Sequence, residues 1–309
     1  MNNKASQRVS VEVITALMLL LPLLLLMNCS PREVDETARS GKMTLAFDRN
    51  LRDIAITERE MFIRYYPDTR ITLMPSASGK SLKHLLAHEV RAALISGKPE
   101  AAEDSLFATL QPPLRREPVA HDAIVCIVNR LNPAGKLSLT ELAPLFSGKE
   151  SEAIPLVVAD DYRLQSLFAS GIGIKIKDLY ARVCTTESEL IKRVSSDKRA
   201  VGVLFRSSLD GTLAEEMAQN RIKVLPLSKD SFSSHPYLPT QQNIFEGLYP
   251  LVTTVYYVYY SGDPLAAGFG SWIGGRGQKA IERSSFAPYK PVERTIILKS
   301  LDSQQSKAQ

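Results

Sequence analysis

Apolar positions along the chain switch repeatedly between two periods, and the switches mark alternating strands and helices. Thr44 to Phe47 is short and half apolar like a strand; Leu51, Ile54, Ala55, Met61, Phe62 and Tyr65 then recur at helical spacing until Pro67. Arg70 to Met74 alternates as a strand, Pro75 to Ser78 is a loop, Leu82, Leu85, Leu86 and Val90 mark a second helix, and Ala92 to Ile95 is a third strand. Past a Pro-rich connector, Gln111 to Pro118, the run His121 to Asn129 is a long apolar strand. Ser138 with Glu141 and Thr186 with Glu189 are capping-box signatures that open helices, and Ala153 to Val158 and Val201 to Phe205 are strands beside them. Leu251 to Tyr260 has the densest β-branched and aromatic content, and helices over Pro264 to Ile273 and Gln278 to Arg283 follow it. Strands alternating with helices predict an α/β fold on mainly parallel sheets, with functional loops at the strand C-terminal ends. Tyr256, Tyr257, Tyr259 and Tyr260 could form a carbohydrate or membrane surface, but alternate strand residues face opposite sides, which favours a core strand.

The N-terminus follows another pattern. Lys4 and Arg8 precede the apolar run Val13 to Met27, which has the layout of an export signal and is shorter than the ~20 residues a membrane span needs. It ends Leu26, Met27, Asn28, Cys29, similar to the lipobox of bacterial lipoproteins, although Asn28 stands where a small residue is usual. That resemblance makes Cys29 the lipidation site and residues 1–29 the signal segment; an uncleaved signal anchor is the alternative. Either way residues 30–42, polar and without an apolar face, are a tether. The folded part then lies on the periplasmic face of a bacterial membrane. Cys126 lies in the apolar run AIVCIVN and reads as a packed thiol; nothing fixes a bridge to Cys184, and no C-x-x-C spacing occurs.

Composition narrows the function classes. In 309 residues, 44% hydrophobic and 23% charged content excludes disorder and collagen-like repeats. The formal charge of +5 suits an anion or an acidic surface, and without basic runs interleaved with aromatics it does not indicate nucleic acid. No G-x-S-x-G elbow or S-x-x-K turn supports a hydrolase. His84, His88 and Glu89 lack a further ligand for a metal, and the adjacent Asp160 and Asp161 would open a helix rather than flank a scissile bond. The expectation is therefore no enzyme, no cofactor and no metal site. Three polar loops do carry chemistry: Phe47, Asp48 and Arg49; Ser76 to Ser81, including Ser78, Gly79 and Lys80; and Ser96, Gly97 and Lys98. Each follows a strand, and free N–H groups and hydroxyls at such positions suit an oxyanion.

The order of segments resembles the phosphate-type substrate-binding proteins of ABC transporters. The matching stretches are TLAFDRN, YYPDTRITL, PSASGKSLKHLL, ALISGKP, VAHDAIVCIVNRLNP, LSLTELAPLFSGK, EGLYPLVTTVYYVY and GFGSWIGGRGQKAIERSSFAP. The resemblance implies a two-lobed periplasmic binding protein fold, each lobe a mainly parallel sheet flanked by helices, with the ligand in the cleft between them. Lobe one would be 43–119 plus 247–298, lobe two 120–246, and 299–309 a disordered tail. It also implies a monomeric solute-binding lipoprotein that captures an oxyanion, phosphate foremost, for an ABC permease. Phe47, Asp48, Ser76, Ser78, Gly79, Lys80, Ser96, Lys98 and Arg163 would bind the ligand. The family's Ser-Gly-Thr-like loop is missing, however, and Asp160 and Asp161 stand where donors are expected, opposing a dianion; Arg163 would partly compensate. A degenerate binding-protein fold serving as a sensor or interaction lipoprotein is therefore the second expectation.

Overall fold

The computed structural model describes residues 36–290 except 99, 100, 150, 151, 211, 220, 221, 233 and 234. The signal-like segment, Cys29, the start of the tether, residues 291–298 and the 299–309 tail lie outside the described residues. In chain order the elements are β1 (Gly41–Asp48), α1 (Arg52–Tyr65), β2 (Thr69–Ser76), α2 (Lys80–Leu86), β3 (Ala92–Ser96), α3 (Ala101–Thr109), β4 (Leu114–Asn129), β5 (Leu137–Ser138), α4 (Leu139–Leu145), β6 (Ile154–Val158) and α5 (Tyr162–Gly171). They continue with β7 (Arg182–Cys184), α6 (Glu187–Ser196), β8 (Ala200–Phe205), α7 (Thr212–Gln219), β9 (Ile222–Val224), β10 (Leu227–Ser228), α8 (Gln241–Phe245), β11 (Val252–Tyr260), α9 (Pro264–Ile273), α10 (Gln278–Glu282) and β12 (Ala287–Pro288).

The main sheet runs β2-β1-β3-β11-β4-β8-β6-β7. β1 is parallel to β2 and β3, and β6 is parallel to β7 and β8, so each half has a parallel nucleus. β4 joins the halves: Leu114 to Ala123 pairs antiparallel with β11, and Ile124 to Val128 pairs antiparallel with β8. Beside it the returning chain crosses back, with Ile124 N–H donating to Leu251 O at 2.9 Å and Tyr249 Oη to Ile124 O at 3.0 Å. The result is a two-lobed α/β fold with a cleft between the lobes.

Period two explains the lobe-one core. Met43, Leu45 and Phe47 of β1 and Val255, Tyr257 and Tyr259 of β11 pack on one face with α1 and α9, while Ala46 and Val258 pack on the other with Leu82 and Leu85 of α2. The tyrosine run is therefore core on both faces, with Tyr257 Oη satisfied by Ala266 O at 2.9 Å. Lobe two is built around Ile124 to Val128, Phe146, Phe168 and Val203. Cys126 and Cys184 are both buried free thiols, and burial pushes Cys126 up to about 12, as expected of packed, unreactive sulfur.

The connector differs from its expectation, because Leu114 to Pro118 is already strand. Pro118 is accommodated where the β4–β11 register shifts between Val255 and Tyr256, a bulge that does not need its missing N–H. Helix α3 was not foreseen either.

Candidate functional site

The C-terminal ends of the parallel strands of both lobes face each other. β1 ends at Asp48, β2 at Ser76 in register with it, and β3 at Ser96. From lobe two come the turn after β6 (Asp160, Asp161), the start of α6 (Glu187) and the 3-10 turn after β8 (Ser207, Ser208).

Asp48 is fully buried and its two carboxylate oxygens accept from Gly79 N–H at 3.3 Å and Ser96 N–H at 2.9 Å. Gly79 reaches this position at φ +87, a left-handed conformation that costs glycine nothing and other residues strain. Burial pushes Asp48 up to about 6, against the opposing pull of the Ser96 N–H, the Ser81 hydroxyl and the Arg163 charge. Ser78 N–H points across the cleft and donates to Asp161 Oδ1 at 3.4 Å. Asp161 is the N-cap residue of α5 yet makes no side-chain cap bond; its carboxylate is used between the lobes instead. Its pKa is raised by burial, with the Ser78 N–H and Arg49 acting against the rise and Asp160 adding to it.

Asn50 and Asp122 form the floor. Asn50 Nδ2 donates to Ser96 Oγ at 3.0 Å, Ser207 Oγ at 3.1 Å and Asp122 Oδ2 at 3.4 Å, so one amide ties lobe one to lobe two. Asp122 accepts from Ser207 Oγ at 2.5 Å and from Ser207 N–H at 3.2 Å, and burial pushes it up to about 6. Two ion pairs complete the contact. Arg49 meets Asp160 at 2.7 Å near solvent. Arg163, only 4% exposed, donates to both oxygens of Glu103 at 2.9 and 3.0 Å and to Lys98 O at 3.4 Å.

Of the residues singled out in sequence, Asp48, Ser76, Ser78, Gly79 and Ser96 are brought together at this edge. The Phe47 side chain is core, Lys80 and Lys98 are exposed, and Arg163 has its guanidinium committed to Glu103 rather than open to the cleft. Asn50, Glu103, Asp122, Glu187, Ser207 and Ser208 escaped sequence reasoning. Two signals could have found some of them: a carboxylate inside the apolar run of β4, and the polar turn RSSL between a strand and a helix. His84 Nδ1 meets Glu89 at 2.5 Å near the C-terminal end of α2, and no group of three metal-ligating side chains occurs among the described residues.

Chemically the cleft combines anion-type donors with too many acids. The hydroxyls of Ser76, Ser78, Ser81 and Ser208 are buried without a hydrogen bond of standard geometry. Ser78, Ser81 and Ser208 nevertheless lie near enough to Asp161, Asp48 and Glu187 respectively to favour their charged forms. Burial raises Glu187 as well, and Asp161 raises it further. Uncompensated carboxylates at short range repel a dianion unless one of the groups carries a proton.

The profile of a PBP superfamily domain matches residues 41–275. No curated protein sequence matches the chain. A Clostridium perfringens structure with bound phosphate, described as a phosphate ABC transporter substrate-binding protein, is similar at TM-score 0.66 and 16% identity, over 81% of this chain and 100% of that one. An ABC-type phosphate transport receptor from Vibrio cholerae is similar at TM-score 0.61 and 18% identity, over 79% and 99%. The sulfate-bound OxyR2 regulatory domain of Vibrio vulnificus is similar at TM-score 0.53 and 9% identity, over 78% and 96%. At these identities the structures share the fold with this chain.

Proposed function

As the chain belongs to the PBP superfamily, whose members here are binding folds, we propose that it is an extracytoplasmic solute receptor. Its cleft takes a small oxyanion, inorganic phosphate foremost, and passes it to an ABC permease. It is held at the membrane by lipid on Cys29, with the signal anchor as the other route. The observation that carries this reading is the convergence of Ser78, Gly79 and Ser96 N–H groups on carboxylate oxygens at one strand edge, beside the buried Ser76 hydroxyl, which has no hydrogen-bond partner among the described residues. Donors that hold a carboxylate can hold a phosphate or sulfate oxygen. Asp48 and Asp122, each pushed up to about 6, accept a proton more readily than ordinary carboxylates, which lessens their repulsion of an oxyanion. Lobe opening would expose the donors and closure would bury the ligand.

Isothermal titration of the refolded full chain with phosphate, sulfate and molybdate tests the proposal. Saturable phosphate binding that weakens in Ser78→Ala together with Ser96→Ala, which remove two hydroxyls and leave the N–H donors, supports it, and silence across the panel removes it. One observation favours the second reading, a sensor or interaction protein with an altered ligand: Asp48 and Asp161 already accept from the donors that an oxyanion would use. A panel that is silent for oxyanions, with closure driven by a protein partner, would establish that reading.

A further inference from the structure

The described chain begins against α9. Thr37 N–H donates to Ser40 O at 3.0 Å to close a turn, and a Cβ at Gly268 would lie 2.0 Å from the Ala38 carbonyl oxygen, so the turn seats on a glycine. Glu36, at its start, is held by Arg91 at 2.5 Å. Beside the turn a groove of about 500 Å³ is lined by Arg39, Tyr66, Gly268, Ser271, Trp272 and Arg276. The Arg39 guanidinium lies 5.4 Å from the centroid of the Tyr66 ring, and that of Arg276 lies 5.5 Å from Tyr65. Tyr65 is 56% exposed and its ring is 5.0 Å from Trp272. Among the described residues neither arginine has a carboxylate partner in an ion pair.

We propose that this face is the protein's bilayer contact, with Arg39 and Arg276 on the phosphates of anionic lipids and Tyr65 at headgroup depth. Two physical arguments select that occupant. Arginines stacked on rings stay charged and partly dehydrated, which suits bidentate phosphate contact, and an amphipathic tyrosine prefers the boundary between headgroup and water. The second is reach. The chain from Cys29 to Glu36 extends at most about 25 Å, so an anchor in the preceding segment leaves this face within reach of the headgroups, where each basic residue is drawn to an anionic surface. The inference rests on the membrane-anchor part of the proposed function and is independent of the oxyanion in the cleft.

Trp272 is the sole tryptophan of the chain and lies in this groove, which makes it a local reporter. The full chain is reconstituted into vesicles of phosphatidylcholine alone or mixed with phosphatidylglycerol, each carrying a dansyl-headgroup lipid, and energy transfer from Trp272 is recorded. Transfer should be severalfold stronger in the anionic vesicles. It should fall with added salt and in the Arg39→Ala/Arg276→Ala double variant, and a double lysine variant should recover part of it. Near-UV circular dichroism checks that both variants fold. Equal transfer in both lipids and in the alanine variant, with the protein still floating with the vesicles, would overturn the bilayer contact while leaving the anchor intact. Failure of the wild type to float would remove the anchor and the contact together, and phosphate binding would be unaffected by either result.

Discussion

Ser78 N–H on lobe one donates to the Asp161 carboxylate on lobe two at 3.4 Å, so the protein supplies its own anion to a backbone donor at the edge of the cleft. The bond is long, and the carboxylate is desolvated beside Asp160 and near Glu187, so its net contribution is small while its charge stands in the way of an oxyanion. Replacing Asp161 with alanine removes a competitor for the amide and a repelling charge. Asp161→Ala is expected to bind phosphate roughly tenfold more tightly, about 1.4 kcal/mol, by isothermal titration. Unchanged or weaker binding would mean that Asp161 is no competitor at this edge.

That relationship also marks where the sequence stopped being informative. The strands, the capping box at Ser138 and the polar turns after β1, β2 and β3 are local features and were legible, since period, cap residues and turn chemistry are written within a few neighbours. At Thr186 half of the capping box was legible: Thr186 accepts from Glu189 N–H as its pattern predicts, while the Glu189 carboxylate accepts from Thr185 N–H rather than from the cap residue's own N–H. Arg163 pairing with Glu103, and Asn50 reaching Ser207, join residues far apart in the chain. Which lobe-two side chains meet lobe one depends on how the two halves of the main sheet oppose, and no local periodicity encodes that. Asp160 and Asp161 stood out in the sequence as carboxylates where donors are expected, yet their partners, Arg49 and the Ser78 amide, needed the structure.

Glu58 gives the clearest pH dependence. It is fully buried, Trp272 Nε1 donates to its Oε2 at 2.9 Å, and its Oε1 has no partner. Burial pushes it from 4.5 up to about 7. Because the folded-state pKa lies above the unfolded one, the folded protein binds more protons across this window. The stability from the protonated group is complete below about pH 4.5 and is lost as pH rises through about 7. Asp48 and Asp122 act in the same direction between 3.8 and about 6. Glu58→Gln mimics the neutral acid, so it is expected to change stability little at acid pH and to raise it by about 2 kcal/mol at mildly alkaline pH. Urea midpoints of both proteins at the two pH values check this, and a parallel offset at both would show that Glu58 is not titrating.

Arg163 and Glu103 test whether the lobes are coupled through a buried pair. The arginine is almost inaccessible while its partner keeps 28% exposure, so removing the guanidinium costs less than breaking a wholly buried pair. Arg163→Met is expected to destabilise by about 2 kcal/mol. With Glu103→Gln it completes a double-mutant cycle, in which a coupling energy of at least about 1 kcal/mol is expected from urea denaturation. Additive effects would show that the two bonds contribute nothing beyond packing.

Gly268 separates propensity from contact by sign. It lies inside α9, where alanine is ordinarily favoured over glycine by about 1 kcal/mol, so an unobstructed Gly268→Ala should stabilise the protein. The added Cβ would instead meet the Ala38 carbonyl oxygen at 2.0 Å and its carbonyl carbon at 2.7 Å, both backbone atoms of the turn that opens the fold. Relief requires that turn to lift from the helix, weakening the Thr37–Ser40 bridge and displacing Glu36 from Arg91. The expected result is a loss of about 1–3 kcal/mol together with faster tryptic cleavage at Arg39, which becomes available once the turn leaves α9. Gly274→Ala is the matched control: its nearest neighbour would be the Gly270 carbonyl oxygen at 3.5 Å, an ordinary contact, and no such loss is expected. Stabilisation of Gly268→Ala with unchanged cleavage would show that the N-terminal turn does not sit on α9 in solution, and the bilayer-facing groove beside it would lose one of its walls.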